Sequence, residues 1–150
     1  MSTNNNAGRS REIYSETIES DAYEASKEVN RILEIIRLNF KIDKEQCFDV
    51  KVILSELLQN AIKHGNDYDN KKKISINVWI ENNSIGITVK DQGGGFDYRS
   101  IRNLKLNKLS DCDPMTIDET GRGLFIVQNL CDCMEFNPSG NMITVMKKLS

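Results

Sequence analysis

Glu56, Asn60 and His64 follow one another at intervals of four residues, with Lys63 beside the last of them. On a helix that spacing stacks a carboxylate, a carboxamide and an imidazole along one edge. His64 is the sole histidine of the chain. Two glycine-bearing stretches stand further along. Asp91-Gln92-Gly93-Gly94-Gly95-Phe96-Asp97 sets an acid just ahead of three glycines, and Gly121-Arg122-Gly123-Leu124 opens an apolar run of helical spacing. Consecutive glycines let a backbone turn sharply and approach a flat group closely. An ionised Asp91 only accepts hydrogen bonds. It therefore suits the exocyclic amino group of adenine and repels the carbonyl oxygen that guanine offers in its place. A glycine-bearing helix start presents free N–H groups and the positive end of the dipole, a natural seat for phosphates. The edge at Glu56 would by itself mean a solvated helix face; the two glycine stretches turn the reading toward a nucleotide.

These groups need elements to hold them. Val50, Ile53, Leu57 and Ala61 share an apolar stripe, so a helix carries the edge into the core, with Asp43 as its N-cap. Gly65 is expected to end that helix in the left-handed conformation. Ala22, Ala25, Val29, Ile32, Leu33, Ile36 and Phe40 mark an earlier helix of about five turns. Residues 73–80 and 84–90 alternate apolar and polar, as half-buried strands do, around an Asn82-Asn83 hairpin turn. Residues 11–19 read as an edge strand. Leu124, Val127, Cys131 and Met134 keep helical spacing after Gly123. Residues 134–136 and 142–149 form a last hairpin around Pro138-Ser139-Gly140-Asn141. The pattern predicts an α+β two-layer sandwich, a mostly antiparallel sheet covered on one face by about three helices. Residues 1–10 read as a weakly ordered tail and 11–150 as one domain. Within it 97–120 has no firm pattern, with Arg99, Arg102, Lys105 and Lys108 recurring every three residues.

Composition narrows the partners. With 39% hydrophobic residues among 150, the chain can bury a core. A formal charge of −2 favours neither nucleic acid nor an anionic membrane. No apolar run suits a membrane span or signal peptide. Cys47, Cys112, Cys131 and Cys133 lack metal-ligand spacing. Cys131 and Cys133, two apart on the expected helix, would point different ways, so all four are expected to be reduced thiols in the cytoplasm.

Taken in order, these motifs resemble the Bergerat-fold ATP-binding domain of the GHKL superfamily over about residues 22–149. Glu56-x-x-x-Asn60-Ala61-x-x-His64 is similar to its N box, Asp91-x-Gly93-x-Gly95 to the first glycine box, and Gly121-x-Gly123-Leu124 to the second. The resemblance implies that Asn60 holds Mg²⁺ through its side-chain oxygen, with phosphates and water completing the octahedron. It implies that Asp91 reads adenine directly and through a water, and that Gly121, Arg122, Gly123 and Leu124 border the phosphates with backbone N–H groups. The motif leaves the role of the Arg122 side chain open. Lys63 and His64 would lie near the phosphates or the lid, and 97–120 would be that lid. Asn141 stands where the superfamily commonly has a base-contacting threonine, so weaker positioning of the base is expected.

A lone histidine inside the N box leaves no phosphoacceptor for a self-contained histidine kinase. The chain's end at Ser150 sets the expectation that no transducer domain follows. With Phe96-Asp97 after the first glycine box and Gly123-Leu124-Phe125 at the helix start, the chain most resembles the stand-alone class of anti-sigma-factor serine/threonine protein kinases. Kinship implies transfer of the γ-phosphoryl group of ATP to a small anti-sigma-factor antagonist, competition between antagonist and sigma factor, and a homodimer. Glu56 is the candidate general base, one turn from the metal ligand. The alternatives are an ATP-binding switch without phosphoryl transfer and a slow ATPase.

Overall fold

The computed structural model describes residues 10–93 and 119–149. Along the chain run β1 (Ser10–Glu19), α1 (Ala22–Asn39), α2 (Lys44–Asn60), a π-helical turn (Ala61–Gly65), β2 (Lys73–Glu81), β3 (Ser84–Lys90), α3 (Glu119–Leu130), β4 (Cys133–Phe136) and β5 (Met142–Lys148). The five strands form one sheet in the order β1-β2-β3-β5-β4, every neighbouring pair antiparallel. This is the expected α+β sandwich, with β1 at the expected edge.

Local chemistry starts each helix. The Asp21 carboxylate accepts from the Glu24 N–H at 3.0 Å and caps α1. Asp43 caps α2 through a reciprocal box. Its carboxylate accepts from the Gln46 N–H at 2.7 Å, and the Gln46 side-chain oxygen accepts from the Asp43 N–H at 3.4 Å. Such a cap contributes about 1 kcal/mol. Between the layers, Val29, Ile32, Leu33 and Ile36 of α1 and Val50, Ile53, Leu54, Leu57 and Leu58 of α2 are buried. They pack with Ile74, Ile76 and Val78, with Ile85, Ile87 and Val89, and with Ile143 and Val145 of the sheet. Alternation along each strand gives one face to this core. Truncating a fully buried member such as Ile53 or Leu57 to alanine would cost about 2–5 kcal/mol.

Several expectations are corrected. Gly65 is not left-handed: among the described glycines only Gly140, at φ 77°, has that conformation. The helix edge instead widens, the Asn66 N–H donating to the Ala61 carbonyl at 2.7 Å. Asn82 does take a positive φ, 57°, in the β2–β3 hairpin. The third helix ends at Leu130, so Cys131 lies beyond it and Cys133 and Met134 belong to β4. That helix also begins at Glu119, two residues before the expected start at Gly121. The tail over 1–9, most of the stretch 97–120, Gly95 and Cys112 lie outside the described residues. No described helix is long and apolar enough to cross a membrane.

Candidate functional site

The polar edge of α2 survives folding as a surface. Glu56, Gln59, Asn60, Lys63 and His64 line one pocket together with Gly123 and Leu124 of α3. The N box and the second glycine box, more than fifty residues apart in the chain, are therefore neighbours. Leu124 and Val127 anchor α3 in the core, and this brings the helix start against α2. The contact is tight: a Cβ built on Gly123 would stand 2.5 Å from Oε1 of Glu56. Gly123 is the fifth residue of α3, beyond the four N–H groups that a helix leaves unpaired. Its visible contribution is this close approach.

Asn60 is 6% exposed, and its Oδ1 has no hydrogen-bond partner among the described residues. An unpartnered buried carbonyl costs about 1–3 kcal/mol, a cost that a bound water or a ligand would offset. A hard cation suits a neutral amide oxygen of this kind. The residues present thus fit the magnesium ion that the resemblance implies. His64 is exposed, on the outer side of the π-helical turn.

Asp91 sits on the other flank of that turn, just past β3, and is 5% exposed. Its Oδ1 accepts from the Gly93 N–H at 2.8 Å. Burial pushes the carboxyl above its ordinary value; the Gly93 hydrogen bond and the charge of Lys72 pull the other way. The carboxylate lies against the Cα of Gly65, where a side chain would collide with it, and Gly93 lies against the Gly65 carbonyl in the same manner. Gly65 is needed for space and not for an unusual φ. Asn141 backs the same acid: its carbonyl accepts from the Asp91 N–H at 2.9 Å, and its Nδ2 reaches the Asp91 carbonyl at 3.4 Å.

The sequence reading missed four contributors. Gln59 lines the pocket. Asn137 donates to the Asn141 side-chain oxygen at 2.6 Å. Asn66 and Gln92 tie the π-helical turn to the segment carrying Asp91. Gln59 falls three residues after Glu56, which is the one signal among the four that spacing offered. Asp91 is not among the residues lining the Glu56–Gly123 pocket. The π-helical turn joins the two places, His64 on one flank and Gly65 on the other.

The family model for the histidine kinase-like ATPase domain matches residues 19–147, most of the chain. The chain belongs to that family. Its relatives include the serine-protein kinase RsbW of Bacillus velezensis, 26% identical over 107 residues, which are 67% of this chain and 62% of the relative. The protein of the same name from Oceanobacillus iheyensis is 29% identical over 105 residues, 69% of this chain and 66% of the relative. That of Staphylococcus aureus strain JH9 is 31% identical over 102 residues, 66% and 64% respectively. The matches thus span a little under two thirds of these relatives' length. Among the described residues, three of the four buried polar side chains, Asn60, Asn66 and Asp91, lie at the pocket between α2 and α3 or around the acid after β3, and Ser20 is the fourth.

Proposed function

We propose that this domain binds Mg-ATP and transfers its γ-phosphoryl group to a serine or threonine of a protein partner. The observation that carries the reading is the buried Oδ1 of Asn60, without a partner among the described residues, on a side chain one helical turn from Glu56 that shares a pocket with Gly123 of α3. Asn60 would hold the magnesium ion, which when bound neutralises charge on the phosphates. The opening N–H groups of α3 would receive phosphate oxygens, and Lys63 adds positive charge at the same pocket. Asp91 would accept from the adenine amino group, with Asn141 behind it. Glu56 would take the proton of the acceptor hydroxyl. That oxygen then bonds to the γ-phosphorus as the bond to the bridging oxygen breaks, leaving ADP.

The names of the relatives support a protein-serine acceptor. The partners proposed are a small anti-sigma-factor antagonist as substrate and a sigma factor as its competitor, with the domain acting as an anti-sigma factor in the cytoplasm and pairing with a second copy of itself. The test is incubation with radiolabelled ATP and a lysate of the source cells. A labelled small protein is expected from wild type and none from Glu56→Gln. Tight nucleotide binding without any labelled protein would replace the kinase by a switch, and phosphate release without an acceptor would replace it by an ATPase.

A further inference from the structure

Asn66 was not singled out by any motif, yet it is fully buried, at 0% exposure, with both ends of its carboxamide used. Its Nδ2 donates to the carbonyl of Lys73, the first residue of β2, at 3.1 Å. Its Oδ1 accepts from the N–H of Gln92, the residue after Asp91, at 2.8 Å. Gln92 answers by accepting the Lys73 N–H on its own side-chain oxygen at 2.7 Å. The backbone of Lys73 is therefore gripped at both its N–H and its C=O. Asn66 also follows Gly65 directly, and Gly65 is the wall against which the Asp91 carboxylate rests.

The arrangement closes a loop of constraints. The end of the π-helical turn, the start of β2 and the residue past Asp91 are locked to one another through two side chains. A desolvated carboxylate gains by swinging toward water, and the Gly93 N–H alone is a modest restraint. Asn66 holds the main chain beside Asp91, and a backbone shift that carried the acid outward would take Gln92 with it and break the bond to Asn66. We propose that Asn66, assisted by Gln92, is a positioning residue that holds the Asp91 carboxylate in the pose from which it meets the base. This inference rests on the reading of Asp91 as the base contact.

The test uses the whole chain in three forms, wild type, Asn66→Ala and Gln92→Ala, with two readouts. The first is affinity for Mg-ATP and Mg-GTP by calorimetry. Asn66→Ala is expected to bind Mg-ATP about tenfold more weakly, the size of one lost hydrogen bond, with a smaller preference for ATP over GTP. Gln92 has an exposed side chain, so its alanine variant folds normally and still loses about threefold by the same route. The second readout is hydrogen exchange at the Gly93 amide without nucleotide, which reports the Asp91 pose directly. It is expected to accelerate about tenfold in Asn66→Ala. Unchanged Gly93 protection in both variants overturns the proposal, as does a lowered melting temperature with an unchanged ATP-to-GTP ratio. A wild type that binds ATP and GTP equally refutes the base-reading role of Asp91 instead, and Gly93 exchange still decides whether Asn66 holds the carboxylate.

Discussion

Oε1 of Glu56 stands where Gly123 has no side chain, 2.5 Å from the position a Cβ would take. The carboxylate of the second helix thus meets the backbone of the third, and the pair closes one end of the pocket that also holds Asn60. The atom in the way is the far end of a flexible side chain, so Gly123→Ala is expected to fold. Alanine would instead displace the carboxylate by rotating it. Phosphoryl transfer is expected to fall at least about tenfold, with the melting temperature nearly unchanged, since a misplacement of about 1 Å at a reacting group can cost a hundredfold. Steady-state transfer rates alongside thermal melts check this.

Glu56→Gln keeps the shape of the side chain and removes its basicity. Mg-ATP affinity is expected to stay within about twofold while transfer drops by about 10²–10⁴-fold, the usual contribution of a general base. Single-turnover labelling of the partner protein measures it, and near-normal transfer would remove Glu56 from the mechanism.

For Asp91 the sign of the pH effect follows from burial. Its folded carboxyl is raised above the ordinary value of 3.8 because burial outweighs the Gly93 hydrogen bond and Lys72. A raised carboxyl contributes stability that is fully present below the unfolded value and is lost as pH rises through the folded value. At neutral pH the ionised group is therefore a burden on the fold. Asp91→Asn, which can still accept from the Gly93 N–H, is expected to melt higher than wild type at pH 7 and to lose the preference for ATP over GTP. In wild type, ATP affinity is expected to weaken on acidification at a pH above that of an ordinary aspartate. Melting curves and calorimetry across pH 4–7 test both.

Gly65→Ala is expected to be damaging on both counts. The new methyl group would strike the Asp91 carboxylate, and pushing that group aside would break its bond to the Gly93 N–H. Overpacking of this kind costs about 1–3 kcal/mol. Thermal melting should show that loss, together with weakened ATP binding.

The parts of this fold that alternate or repeat were readable in the sequence. Ile74, Ile76 and Val78 announce a strand because period two admits no other regular element, and Asp43 announces a helix start. The site's principal members were also readable, since Glu56 and Asn60 are brought together by helix geometry alone. What escaped was decided by approach between distant segments. Gly65 was read as a helix terminator, yet its partner is the side chain of Asp91, twenty-six residues on, and no spacing encodes that meeting. Asn66 and Gln92 share the same difficulty, with a further obstacle: the π-helical turn shifts the register after Asn60. Met134 misled for the opposite reason. Its helical spacing from Leu124, Val127 and Cys131 continues past Leu130, where the chain has already turned into β4.

The central claim is that the amide oxygen of Asn60 grips the ion of a bound Mg-ATP. Titrating Mg-ATP into wild type and Asn60→Ala by calorimetry tests it most directly, with melting temperature as the control for folding. Removing a buried oxygen that has no partner among the described residues should leave the nucleotide-free variant at least as stable as expected for a small side-chain truncation. Wild type is expected to bind in the micromolar range or tighter and the variant about tenfold or more weakly, with the difference vanishing when magnesium is chelated. Equal heats for wild type and variant in the presence of magnesium, or no heat from well-folded wild type, would contradict it.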